Sequence, residues 1–282
     1  MARKCQFADR NLCATGDRIA ALFIDIDGTC VVCQPYYDGA IAEFAALMNL
    51  CKLATPAVAA DTLKQLYYAS MPARGFERGR FGEAIAETYE ALCKAKKRRA
   101  QKDIVEICKS IGSRAFFRKP EVFDNCLPVL GRARHNFLLI AVTVGDREAQ
   151  KYKIRQAGLD ALFDEVIITD TENKAELVRE AIKDMGIDPQ FSAFIGNSIR
   201  SDGAALAETN FIYLPLEHSL TRPGDKLPES QYQSFTANTW REVEERGIVR
   251  LRRQLRTAIE GVPVGDDNNL GGASEGCGTC KH

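Results

Sequence analysis

Two aspartates one residue apart, Asp25 and Asp27, followed at once by Gly28 and Thr29, concentrate the chemistry of this chain. They close the run Ala20 to Ile26, which is apolar except for Asp25, the pattern of a parallel strand covered on both faces. A carboxylate is costly at the end of such a strand unless something compensates its charge. A divalent metal and a substrate phosphate at the carboxyl edge of an open α/β sheet would do so. On an ideal strand the two carboxylates share a face. A loop starting here lets them diverge, so that one serves as nucleophile and metal ligand while the other handles protons.

The elements that must position such groups follow from periodicity. Phe137 to Val142 reads as a strand ending in Thr143-Val144-Gly145-Asp146, with Asp146 placed to cap the next helix. Val166 to Ile168 is a shorter strand. The helix after it carries Lys174 near its start, buries Leu177, Val178, Ala181, Ile182 and Met185, and stops at Gly186. Phe191 to Ile195 is a fourth strand, followed by Gly196-Asn197-Ser198-Ile199-Arg200-Ser201-Asp202. Phe211 to Leu214 is a fifth. Strand–helix units of this length imply a parallel sheet with right-handed crossovers. Pro215 to Ser230 reads as a long loop, Tyr232 to Thr236 as an edge strand and Asn238 to Glu260 as a charged final helix.

Between Thr29 and residue 120 the alternation stops. Ile41, Phe44, Ala45 and Met48 share a helical face, and helical periodicity continues near Ala57–Ser70, Gly82–Lys97 and Lys102–Ser110. The expected fold is therefore α/β, a Rossmann-like doubly wound parallel sheet with an inserted all-helical cap. Residues 1–30 and 120–260 form the discontinuous core, residues 31–119 the cap, and 261–282, rich in Gly, Asn and Asp, a disordered tail.

With 282 residues the chain can bury a large core, and Lys+Arg and Asp+Glu both total 38, so net charge offers no reason to expect nucleic acid or a membrane surface as partner. The basic run from Lys94 to Lys102 lacks interleaved aromatics and reads as a solvated helix face. A polar N-terminus without an apolar core segment and the lack of any span-length apolar run give a cytoplasmic expectation. The ten cysteines are scattered through helices and strands of a full-sized core, which favours reduced thiols over disulfides.

Asp25-Ile26-Asp27-Gly28-Thr29, Thr143, Lys174 and Gly196 to Asp202, in this order and each at or beyond the end of a strand, resemble the four motifs of the haloacid dehalogenase superfamily. The resemblance spans roughly residues 19 to 216, and within it the stretches from Thr143 and from Gly196 look like bacterial phosphatase-like hydrolases with a helical cap of the C1 type. It implies Mg²⁺-dependent hydrolysis of a small phosphorylated metabolite. Asp25 would attack phosphorus, Asp27 act as general acid and base, Thr143 and Val144 bind phosphoryl oxygens, and Lys174 neutralise charge. Asp25, Asp27 through its carbonyl, Asn197 and Asp202 would hold the metal. Asn197 departs from the pattern, since many relatives carry Asp there and an amide is the weaker ligand for a hard cation. Lys151 and Lys153 also lie near a helix start and compete with Lys174 for its role.

In the cap, Arg74-Gly75-Phe76-Glu77-Arg78-Gly79-Arg80 could reach over a second anionic group, with Arg74 and Arg78 binding substrate, or could be a solvated connection. Cys30-Val31-Val32-Cys33 reads as packing. Cys277-Gly278-Thr279-Cys280 could bind metal loosely with His282, and none of His135, His218 and His282 sits with the chemistry. A phosphotransferase or mutase would use the same residues, and a non-catalytic binding protein could retain the fold. A dehalogenase would have no use for Asp27.

Overall fold

The structure is a computed structural model describing residues 14–15, 18–74, 79–115, 119–170, 174–217 and 224–260. In chain order it contains β1 (Ala14–Thr15), β2 (Arg18–Ile19), β3 (Ala21–Ile24), β4 (Val31–Val32), α1 (Gln34–Leu50), α2 (Pro56–Arg74), α3 (Arg80–Ala95) and α4 (Lys102–Arg114). These are followed by β5 (Glu121–Val122), α5 (Cys126–Ala133), β6 (Leu138–Val144), α6 (Arg147–Gln156), β7 (Glu165–Thr169), α7 (Lys174–Met185), β8 (Ala193–Gly196), β9 (Asn210–Tyr213) and β10 (Ser234–Thr236). The last described segment runs through α8 (Trp240–Glu242), a π-helical turn at Val243–Ile248, and α9 (Val249–Glu260).

The main sheet has six strands in the order β10-β9-β8-β3-β6-β7, every neighbouring pair parallel. The chain leaves β3 towards β6 and β7, then returns to the other side of β3 for β8, β9 and β10. The carboxyl end of β3 beside β8 is thus the point where strand order reverses, the place where open α/β sheets bind ligands.

Both sheet faces are covered, which explains the near-continuous apolar runs. Leu22 and Ile24 of β3, with Leu139 and Ala141 of β6, pack with Val129, Leu130, Ile154, Trp240 and Leu255. The alternate residues Ala21, Phe23, Leu138, Ile140 and Val142 pack with Val178 and Ala181 of α7. A separate apolar cluster belongs to α1 to α4, among it Phe44, Met48, Leu63, Phe81, Ile85, Tyr89 and Ile111.

The insertion differs from an all-helical segment at its first residues. Val31 pairs with Val122 and Val32 with Glu121 in an antiparallel ribbon of β4 and β5, which draws together the two chain segments leading into and out of α1–α4. Strands this short leave no periodicity to read. Helix α5 and the β1–β2 pair are likewise additions to the sequence reading. Six cysteines, Cys30, Cys33, Cys51, Cys93, Cys108 and Cys126, are free thiols among the described residues. No described helix is long and apolar enough to cross a membrane.

Candidate active site

Strand β3 ends at Ile24, so both aspartates sit in the loop that follows and their side chains separate. The amide of Asp25 still donates to the carbonyl of Ile195, keeping this residue in line with β8. The loop then tightens: Thr29, Cys30 and Val31 all return their amides to the carbonyl of Ile26, and Gly28 takes a φ of 77°, a region that favours glycine. Gly28 is needed sterically as well, because a Cβ there would lie 2.2 Å from Nδ2 of Asn197. The loop is held from behind by Trp240, whose buried indole N–H donates to the carbonyl of Thr29 at 2.9 Å.

Asp25 is buried, with only 5% of its surface exposed. Lys174 Nζ donates to its Oδ1 at 2.5 Å and to Oδ1 of Asp202 at 2.6 Å, while Thr29 Oγ1 donates to Asp25 Oδ2 at 3.0 Å. Asp202 is brought in by the loop after β8: its Oδ2 accepts from the amide of Ser198, and it folds so close over Gly196 that a Cβ there would lie 2.4 Å from Oδ2. Among the three lysines the sequence leaves in contention, Lys174 takes this place, and Lys151 pairs with Glu148 on the surface.

One ammonium thus serves two buried carboxylates. Burial pushes the Asp25 carboxyl up to about 7; Lys174 pulls the other way, and the charges of Asp202 and Asp27 raise it further. Burial alone would lower Lys174, but Asp202 and Asp25 outweigh it and hold the ammonium above its ordinary range. Among the described residues no group of three or more His, Cys, Asp or Glu could hold a metal by itself. The oxygen donors at hand are two carboxylates, the Asn197 amide carbonyl and main-chain carbonyls. That chemistry, together with two buried carboxylates sharing a single ammonium, fits a hard divalent cation.

Asp27 lies in a different setting, with a third of its side chain exposed. Lys153 Nζ and Cys33 Sγ both donate to Oδ1, the thiol at 3.0 Å, and Gln150 Nε2 donates to Oδ2 at 2.7 Å. Burial acts to raise this carboxyl, but Lys153, then the bonds from Cys33, Lys153 and Gln150, win and hold it below its ordinary value. The second N–H of Gln150 goes to the Val144 carbonyl at 2.8 Å, and Thr143 Oγ1 lies beside the pair, 3.1 Å from Nε2. Asp146 caps α6 by accepting from the amide of Ala149 at 2.9 Å, which fixes the helix carrying Gln150 and Lys153.

The structure therefore gathers Asp25, Asp27, Thr143, Lys174 and Asp202 at one sheet edge, with Asn197 over Gly28 and Val144 at the end of β6. Arg74 ends α2 with its side chain outside the described part; Arg78, the loop at 75–78, the Cys277–Cys280 pair, His218 and His282 lie outside the described residues. Cys30 lies in the core and Cys33 packs against it, as expected; the Cys33 thiol also bonds to Asp27, and Cys30 donates to the Asp25 carbonyl at 3.3 Å. Gln150, Cys33 and Glu217 were not singled out for the site by sequence, and Lys153, there a competitor for the place of Lys174, pairs with Asp27 instead. Glu217 accepts from the amides of Cys33 and Gln34, tying the segment after β9 to the start of α1. Only the three-residue spacing of Gln150 and Lys153, which puts them on one helical face, could have flagged that pair.

Comparison with known proteins follows the same lines. The family profile of haloacid dehalogenase-like hydrolases matches residues 19–209. A haloacid dehalogenase-like family hydrolase from Xanthomonas campestris superposes with a TM-score of 0.68 at 19% identity, covering 87% of this chain and 99% of the other. The HAD-hydrolase YfnB from Bacillus subtilis, solved bound to magnesium, gives 0.53 at 17% identity, covering 80% and 97%. A predicted phosphoglycolate phosphatase from Haemophilus somnus gives 0.52 at 14%, covering 82% and 98%. L-2-haloacid dehalogenases share the fold too. At such identities these are likenesses of fold. No protein of curated function matches the sequence.

Proposed function

The chain belongs to the haloacid dehalogenase-like hydrolases, and from that premise we propose that it hydrolyses a small phosphorylated metabolite, a phosphate monoester, with Mg²⁺ and through a phosphorylated Asp25. The observation that carries this reading is Asp27, held at the open side of the site beside Thr143. Displacing a halide from carbon needs no proton at the leaving atom, whereas expelling an alkoxide from phosphorus does.

In the first step an oxygen of Asp25 bonds to phosphorus, the bond to the ester oxygen breaks, and Asp27 delivers a proton to that oxygen. In the second, Asp27 takes a proton from water, the water oxygen bonds to the same phosphorus, and Asp25 leaves as the free carboxylate with inorganic phosphate as product. The resting charges oppose this order, with Asp25 raised and Asp27 lowered. Ligands correct both: Asp25 ionises more readily in the field of a divalent cation, and Asp27 gains a proton more readily beside an anionic phosphoryl group. Asp25, Asn197, Asp202 and the Asp27 carbonyl would hold Mg²⁺, which would supply positive charge to the phosphoryl oxygens. Lys174 adds a second fixed cation, while the Thr143 hydroxyl and the Val144 amide bind phosphoryl oxygens. The helices inserted after Thr29 act as the cap over this edge, and closure excludes water from the first step.

The test is release of p-nitrophenol from its phosphate ester by the purified protein, with Mg²⁺ or EDTA, beside Asp25→Asn. Turnover that requires Mg²⁺ and vanishes in the variant is expected. Halide release from a 2-haloacid without metal, and no turnover of p-nitrophenyl or alkyl phosphates, would overturn the proposal.

A further inference from the structure

Helix α6 carries two side chains that the four sequence motifs leave without a task, yet both reach the centre of the site. Lys153 Nζ bonds to Oδ1 of Asp27, and Gln150 Nε2 bonds to Oδ2 of the same carboxylate. Only 15% of the Lys153 side chain and 3% of Gln150 are exposed, so neither is an incidental surface contact. The orientation of the Gln150 amide is determined by its surroundings. The Asp27 carboxylate and the Val144 carbonyl can only accept, so the nitrogen must face them.

That arrangement has a cost. Gln150 Oε1 is buried and has no hydrogen-bond partner among the described residues. A buried unpaired amide oxygen destabilises a fold, and its retention points to a use for the other end of the amide. The surrounding backbone is shaped to accept it: Gly145, at a φ of 146°, packs so closely that a Cβ there would lie 3.0 Å from Gln150 Nε2.

We propose that Gln150 and Lys153 are positioning residues for Asp27, locking both its carboxylate oxygens and coupling it, through the Gln150 amide, to the strand end Thr143-Val144 that would bind the phosphoryl group. Cys33 adds a third contact on Oδ1 from the segment leading into α1. Asp27 stands on a loop beyond the end of its strand, and its backbone alone does not fix where its carboxylate points. Two donors one helical turn apart on a capped helix do. The leaving oxygen and the phosphoryl oxygens belong to one substrate, so the group that protonates the first and the group that binds the second must keep a fixed separation. One amide, with one N–H on Asp27 and the other on the Val144 carbonyl next to Thr143, enforces that separation.

The inference rests on the phosphatase reading, and the experiment separates the two. Wild type, Lys153→Met, Lys153→Arg, Gln150→Leu and Asp27→Asn, with the doubles Lys153→Met/Asp27→Asn and Gln150→Leu/Asp27→Asn, are assayed with Mg²⁺ on an alkyl phosphate and on p-nitrophenyl phosphate. An alkoxide needs a proton to leave and p-nitrophenolate does not, so a fault in aiming Asp27 shows on the first substrate. Lys153→Met and Gln150→Leu should each lower kcat/KM on the alkyl ester, which reports departure of the alcohol and not the later hydrolysis common to both esters, about 100-fold, the cost of misplacing a reacting group. The loss on p-nitrophenyl phosphate should be several-fold smaller, Lys153→Arg should recover part of it, and neither substitution should lower activity further in the Asp27→Asn background. Equal losses on both esters, full additivity with Asp27→Asn, or no loss at all would overturn the positioning role while wild-type turnover upholds the phosphatase. A wild type inactive on every ester overturns both.

Discussion

Asp25 and Asp27 are one residue apart and live in opposed surroundings. The first is buried against another carboxylate with one lysine between them; the second is open and held by a lysine, a thiol and an amide. In the proposed reaction, that contrast would let one loop supply both a nucleophile and a proton carrier. Asn197 marks the other residue-scale choice, a neutral donor where a charged one is common. Asn197→Asp is expected to tighten Mg²⁺ binding about tenfold, because ligand charge sets affinity for a hard cation. Calorimetric titration measures it, and an unchanged affinity would place residue 197 outside the metal's coordination shell.

Two helical elements set how firmly the site is framed. Helices α3 and α4 meet at a pair of glycines, and a Cβ on Gly112 would stand 2.4 Å from the Cα of Gly82. Gly112→Ala must push the helices apart, and we expect it to destabilise the protein by about 1–3 kcal/mol, the usual cost of overpacking, read as a lower midpoint in chemical denaturation. The segment α8–α9 acts on the catalytic loop through Trp240, which is fully buried. Trp240→Phe keeps a ring but orphans the Thr29 carbonyl. A loss of about 1–3 kcal/mol is expected, and an unchanged denaturation midpoint would show that this bond does not hold the loop.

For the molecule as a whole, the uncompensated charge around Asp25 couples stability to pH and metal. Its folded pKa of about 7 lies above the ordinary 3.8, so the folded state holds the proton more tightly. The resulting stabilisation is complete below the unfolded value and is lost as pH rises through about 7. In metal-free buffer the Tm of wild type, measured relative to that of Asp25→Asn, should therefore fall between pH 5 and pH 8. Mg²⁺ should restore more Tm at pH 8 than at pH 5, since a proton and the cation compete for the same carboxylate. At a hundredfold excess over Kd the gain is about 2.7 kcal/mol. A relative Tm that is flat with pH would show that Asp25 is ionised in the apo protein.

The main strands, the helices of the insertion and the four motif positions were legible in the sequence because each leaves a local signature. A strand buried on both faces shows as an unbroken apolar run, an amphipathic helix as a stripe, and a strand end in an open α/β sheet is where polar residues gather. What stayed hidden was decided by packing. Lys174 rather than Lys151 or Lys153 reaches Asp25 because the return of the chain to β8 puts the Asp202 loop beside α7, a contact across 28 residues with no periodicity to announce it. Lys153 looked like any surface lysine, and Gln150 and Cys33 like helix and loop filler, until α6 was laid against the end of β3. The β4–β5 ribbon is too short to leave a pattern. Local sequence thus determined where the two carboxylates lie along the chain, while only the tertiary structure decided what Asp25 and Asp27 touch, since a carboxylate in a loop takes its partners from whatever element folds over it.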